Sequence, residues 1–135
     1  MGKSKNKIDE LPIPKKCRYC GNEVILTSNA EIYGKEYGNG KCYLCRNCKS
    51  FVGIHTGTTI PLGTLANADL RKARNEAHKL FDKLWKNPTR IMTRYEAYKW
   101  LANKMGLKIE ETHIAWFEIE QCKKVIELIK NIGEW

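Results

Sequence analysis

A chain of 135 residues that is 42% hydrophobic can bury one modest core, or a small metal module beside a helical one. No run approaches the roughly 18 apolar residues of a membrane span, and the charged start lacks the apolar stretch of a secretory signal. A cytoplasmic protein with no membrane partner is expected, and its formal net charge of +9 points to an acidic one.

Residues 1–14 (MGKSKNKIDELPIP) are lysine-rich and end in Pro-Ile-Pro, which predicts a basic flexible arm and an extended entry. Residues 15–60 predict short strands: Val24 to Leu26, Glu31 to Tyr33, Cys42 to Leu44, and Phe51 to Ile54. Tyr37-Gly38-Asn39-Gly40 is a turn signal, because Asn-Gly readily takes positive φ. A loop over Thr56 to Gly63 follows, and from Ala66 the period becomes helical. Leu70, Ala73, Ala77, Leu80, Phe81 and Leu84 recur at three- and four-residue steps as one apolar stripe. Asn67 is the expected N-cap, and Asn87-Pro88 the expected stop. Thr93 caps a second helix to Met105, with Gly106 as its end. A third runs from about Trp116 to Lys130, with Phe117, Cys122, Val125, Ile126 and Ile129 facing inward.

Four of the six cysteines fall in tight C-x-x-C pairs, a spacing that suits one metal ion better than framework disulfides. Zinc takes four soft ligands in a tetrahedron, and two such knuckles supply them. Cys17 and Cys20 form the first, with Gly21 free to take positive φ just after it. The second is ambiguous, since Cys42-Tyr43-Leu44-Cys45 has the same spacing as Cys45-Arg46-Asn47-Cys48. The latter is preferred: Asn47 tolerates a left-handed turn, whereas Tyr-Leu belongs in a strand and leaves Cys42 a packed small hydrophobe. Cys17, Cys20, Cys45 and Cys48 are thus the expected ligands of one structural Zn2+, since four thiolates leave no open coordination position.

Several motifs occur in order: Cys17-x-x-Cys20-Gly21, Ile32-Tyr33-Gly34, Tyr43-Leu44-Cys45 through Cys48, and Val52-Gly53 with His55. They continue with Pro61-Leu62-Gly63-Thr64-Leu65-Ala66, Leu70-Arg71 with Arg74, and His78 with Phe81-Asp82 and Trp85. Tyr98-x-Trp100-Leu101-Ala102, His113-Ile114 and Cys122 complete them, and Ala115 stands where the pattern has glycine. In these the chain resembles, over about residues 15–130, the zinc-finger-containing domain family of unknown function found in bacterial and bacteriophage genomes. The resemblance implies a fold and a zinc site, and it implies no activity.

On the helix from Ala66, Arg71, Arg74, His78, Asp82 and Trp85 share one stripe flanking the apolar face. Lys72, Lys79, Lys83 and Lys86 form a separate stripe on the solvent side. Two readings of the flanking stripe stay open: contacts that dock helix and ribbon, or a groove between them lined by His55, Arg71, Arg74, His78 and His113. A second metal site from the three histidines or Cys122 is a lesser alternative, since Cys122 lies on an apolar stripe.

The expected fold class is α+β: a four-cysteine zinc ribbon over residues 15–60, a small antiparallel sheet, packed against three helices within 61–135. Residues 66–105 hold ten Lys/Arg against four Asp/Glu, net +6, while residues 106–135 carry net −2. The leading expectation is a phage or mobile-element accessory protein that binds nucleic acid through Arg18, Arg46, Lys49, Lys72, Lys79, Lys83 and Lys86. The alternatives are a protein-interaction module acting on a host enzyme, and a zinc-stabilised hydrolase using His78 or His113 as base.

Overall fold

The computed structural model describes residues 11–86, 88 and 91–132. The first ten residues of the expected basic arm, and Asn87 of the expected helix stop, lie outside the described residues. Contacts divide the chain into two units, residues 1–65 and 66–135. The α+β class holds: a three-stranded antiparallel sheet precedes a run of helices.

In the first unit, β1 (Ile25–Ser28) pairs with β2 (Lys41–Leu44), and β2 with β3 (Phe51–Gly53), in the order β1-β2-β3. Ile25 stands opposite Leu44 and Ser28 opposite Lys41, while Cys42 faces Gly53. A smaller hairpin carries the first knuckle, closed by a bridge between Lys16 and Glu23. The stretch Glu31 to Tyr33 is a helical turn, α1 (Ala30–Tyr33), rather than the expected strand. Three residues are too few for apolar spacing to separate the two states. Here Gly34, at φ 88°, closes the turn through its N–H on the Ala30 carbonyl.

The ribbon has its own core, in which Cys17, Val24, Tyr43, Cys45, Val52, Ile54 and Leu65 are buried together. Residues 61–65 go with it. Pro61 bridges to Ile54, and the Leu62 N–H reaches the Gly53 carbonyl at 2.9 Å.

The second unit holds α2 (Ala68–Asp82), α3 (Arg94–Met105) and α4 (Ile119–Lys130). The caps are as the sequence predicts. The Asn67 side chain accepts from Leu70 N–H, and Thr93 and Glu96 form a reciprocal capping box. Gly106 ends α3 at φ 71°. The third helix starts later than expected, because Ile114–Trp116 forms a 3-10 turn and Phe117 is extended.

The buried row of the α2 stretch runs Leu70, Arg74, Ala77, Phe81 and Leu84. Those steps of four, three, four and three residues follow one helix face. Leu80, expected inside, is only half-buried at the edge of the core, and Arg74, expected on the flank, occupies the row. α2 packs chiefly on α4, where Cys122, Val125 and Ile129 are buried, and Ala97 and Leu101 of α3 join the same cluster. Among the described residues no helix is long and apolar enough to cross a membrane.

Candidate metal centre

The two C-x-x-C segments fold alike because each is the tip of a hairpin. In the first, the Gly21 N–H reaches the Cys17 carbonyl at 2.9 Å and the Cys17 N–H reaches the Asn22 carbonyl at 2.7 Å. In the second, Lys49 N–H reaches the Cys45 carbonyl at 2.8 Å and Cys45 N–H reaches the Ser50 carbonyl at 2.9 Å. The residue after each second cysteine turns left-handed, Gly21 at φ 79° and Lys49 at φ 70°. The left-handed role expected of Asn47 therefore falls to Lys49. Asn47 instead offers its side chain to the Cys20 sulfur of the other knuckle.

These turns bring the Sγ atoms of Cys17, Cys20, Cys45 and Cys48 within 4.8 Å of one another. The Cys17–Cys48 and Cys20–Cys45 separations are 3.4 and 3.5 Å. Thiolates about 2.3 Å from a tetrahedral zinc stand roughly 3.8 Å apart, so the donor set fits that ion in kind, number and spacing. Cys17 and Cys45 are buried, while Cys20 and Cys48 are exposed.

The surrounding groups favour thiolate at Cys20 and Cys48, whereas at Cys45 the lowering by the Cys48 backbone N–H is outweighed by burial and then the Cys20 sulfur, which push the thiol up to about 11. The Asn22 side-chain amide, at 3.3 Å, and then the Asn47 side chain lower the Cys20 thiol from 9.0 to about 5. The Ser50 hydroxyl, 3.2 Å from the Cys48 sulfur, and then its backbone lower Cys48 in the same direction. Asn22 and Ser50 sit two residues after the second cysteine of their knuckles, a matched placement that sequence reasoning missed although the spacing could have disclosed it. The metal supplies a cross-link between two hairpins, and this chain's residues supply sulfurs, amides and turn geometry.

Cys42 lies outside the cluster, buried on β2, with its thiol pushed up by burial and then by the nearby Glu31 carboxylate. Cys122 is buried in the helical core, where burial likewise raises it, to about 11.

The candidate nucleic-acid contacts have varied surroundings. Arg46 is a bidentate partner of Glu31 at 2.9 and 2.8 Å, and this pairing holds the Glu31 carboxyl down at about 2. Arg18 donates to Thr64 Oγ1 at 3.2 Å and lies over the Tyr19 ring. Lys72, Lys79, Lys83 and Lys86 are exposed, and Lys86 pairs with Asp82 at 3.2 Å. Glu76, also exposed, borders their stripe.

Of the candidate groove residues, His55 belongs to the first unit and the others to the second. Arg71 donates to the Ala66 carbonyl at 2.8 Å, at the start of α2. Buried Arg74 donates through Nε to the Phe117 carbonyl at 2.9 Å, tying α2 to the extended residue before α4. His78 Nδ1 is 3.6 Å from the Asp82 carboxylate. His113 Nε2 is 2.9 Å from the Glu110 carbonyl, and its ring lies against Trp116.

The two knuckles carry different residues at the left-handed position, Gly21 and Lys49. A lysine held left-handed costs about 1 kcal/mol that a glycine avoids, part of which glycine returns as freedom in the unfolded chain. Lys49→Gly is expected to stabilise the zinc-loaded ribbon by about 0.5–1 kcal/mol, a two- to fivefold gain in zinc affinity. Chelator competition on the two proteins measures it.

No curated protein and no solved structure matches this chain. A family model described as a zinc-finger-containing domain matches residues 13–132, which includes both knuckles and all three long helices. The motifs, the sheet and helices and the four-cysteine cluster agree with that match, and the chain belongs to the zinc-finger-containing domain family.

Proposed function

We propose that this zinc-binding protein is a nucleic-acid-binding accessory protein, of the phage or mobile-element type that the family resemblance implies. The observation that carries the reading is a row of exposed ammonium groups, Lys72, Lys79, Lys83 and Lys86, on and just beyond α2 in a chain of net charge +9. A flexible ammonium is a point charge with no planar edge to read bases, so contact falls on phosphates. Arg46 contributes less than its charge implies, because Glu31 already neutralises it. Lys86 is similarly offset by Asp82.

If about four phosphates are engaged, affinity for duplex DNA falls with salt at a log–log slope near −3.6. Replacing Lys72, Lys79 and Lys83 by Glu should weaken binding to all sequences alike and reduce that slope by about 3. Anisotropy titrations of labelled oligonucleotides between about 50 and 200 mM salt read both quantities. No binding at the lower salt, with zinc bound, overturns the reading.

A second reading, a protein-interaction module, is favoured by an open hollow of about 600 Å³ in the helical unit, where Glu96, Lys99 and Asn103 border an apolar part. Ile91, Met92 and Trp100 line it, and Ile91 is well exposed, as is Tyr95 nearby in sequence. Half-exposed apolar rings and aliphatic chains at a concave surface are what protein anchors require. A complex that survives nuclease and is lost on Trp100→Ala would support it.

A further inference from the structure

We infer that the ribbon carries a stacking site for an unpaired nucleotide, formed by Tyr33 and Tyr37 and flanked by Lys35 and Lys41. The inference rests on the nucleic-acid reading above and adds to it a strand type and a place.

The segment between α1 and β2 is held firmly. The buried Asn29 side chain donates to the Tyr37 carbonyl at 2.8 Å and accepts the Tyr37 N–H at 3.1 Å. Gly40 N–H closes a turn onto the same carbonyl at 2.9 Å. Asn39 is fixed from both ends, donating to the Ile54 carbonyl and accepting from the Thr56 hydroxyl. Yet this fixed frame displays two large rings to water, since Tyr33 and Tyr37 are each 51% exposed. A frame that rigid removes most of the ordering cost of a ligand that stacks there.

The rings are arranged edge to face. Tyr33 and Tyr37 centroids lie 5.5 Å apart at 82°, and Tyr33 meets Phe51 at 6.2 Å and 90°. Both tyrosines border an open hollow of about 300 Å³, together with Lys41, Gly53, Ile54 and Leu62. Gly53 keeps the floor low, because a Cβ there would meet the Leu62 side chain at 3.2 Å. Lys35 Nζ stands 5.4 Å from the Tyr37 centroid, so one ammonium lies over a ring and a second lines the hollow. The carboxylate in this loop, Glu36, accepts the Ser28 hydroxyl at 2.8 Å.

Aromatic faces that take a base, with cations spaced to meet the phosphates on either side, are the chemistry of single-strand binding. A duplex keeps its bases stacked inside and cannot use the rings. An apolar peptide would gain from the tyrosines but nothing from two ammonium groups, which favour a polyanion although Glu36 offsets part of their charge.

The test uses the zinc-loaded full chain with two probes, a fluorescein-labelled oligothymidylate of about 12 nucleotides and a labelled hairpin duplex. Tyr37→Ala is expected to weaken oligothymidylate binding at least about fivefold, Tyr37→Trp to restore it, and duplex affinity to stay unchanged. The Asn29 bonds go to the Tyr37 backbone, so the substitution leaves the frame intact, and zinc content verifies each variant. A double variant, Lys35→Gln with Lys41→Gln, should reduce the single-strand salt slope by about 1.4. Single-strand affinity unchanged by Tyr37→Ala, or equal losses on both probes, overturns the stacking site and leaves phosphate binding standing. If the unmodified protein binds neither probe, the underlying reading fails as well. A nuclease-resistant protein complex lost on Tyr37→Ala assigns the hollow to a protein and overturns the inference.

Discussion

Cys45→Ser should abolish stoichiometric zinc binding and unfold the ribbon, whereas Cys42→Ser should keep one zinc per chain. Cys42 and Cys48 each stand three residues from Cys45, and either could complete a C-x-x-C pair with it on spacing alone. Their surroundings separate them. Cys48 lies at the tip of the β2–β3 hairpin beside Cys45, with its sulfur 3.4 Å from that of Cys17. Cys42 sits within β2 opposite Gly53 and Thr27, its thiol raised by burial. The ribbon's own core is small, and two of its buried residues, Cys17 and Cys45, are metal ligands, which leaves too little apolar surface to fold by itself. Structural zinc contributes roughly 10–16 kcal/mol in small fingers at neutral pH, so the loss of one thiolate removes more than such a core can supply. The helical core draws on residues from Ala73 to Ile132, and helical circular dichroism is expected to persist in Cys45→Ser. Native mass spectrometry gives the zinc count. Zinc lost from Cys42→Ser but kept in Cys48→Ser would overturn the ligand assignment.

Legibility in the sequence followed the physics of each feature. Caps were legible because Asn67, Thr93 with Glu96, and Gly106 each act on the backbone within a few residues of themselves. The knuckles were legible for the same reason, with the donor chemistry fixed by the cysteines themselves. What escaped depends on partners distant in the chain. Glu31 looked like part of a strand, yet it sits in a helical turn and neutralises Arg46, fifteen residues on. Arg74 falls on the flanking stripe by its angular position, beside the apolar face rather than within it. Its Nε instead finds the Phe117 carbonyl 43 residues away, and the aliphatic stem completes the buried row between Leu70 and Ala77. The left-handed position in the second knuckle was misassigned by propensity, which favours asparagine. The hairpin closes from the position after the second cysteine, whichever residue stands there, and that residue is Lys49.

Phe81→Ala should nearly unfold the helical unit while leaving one zinc per chain. Phe81 is fully buried in the buried row of α2 and meets Tyr98 of α3 edge to face at 4.8 Å. Its neighbours in the cluster include Ala77, Leu84, Leu101, Phe117 and Val125, contributed by all three helices and the segments that flank them. Truncating a buried phenylalanine costs about 3–5 kcal/mol, and the aromatic pair adds about 0.5–1.5 kcal/mol of geometry that alanine cannot replace. A unit of this size has total stability on the order of 5 kcal/mol, and its described residues include no cluster of metal-ligand side chains like that of the ribbon. Each kcal/mol moves the midpoint of such a unit by about 4–8 °C, so a fall of at least about 12 °C is expected. Leu80→Ala supplies the control, since Leu80 is only half-buried at the edge of the cluster and its loss should be well below that of Phe81. Thermal unfolding followed by circular dichroism at 222 nm, which reads helix, separates the two variants. Equal midpoints for Phe81→Ala and Leu80→Ala would mean that the Leu70–Leu84 row is not the face α2 buries.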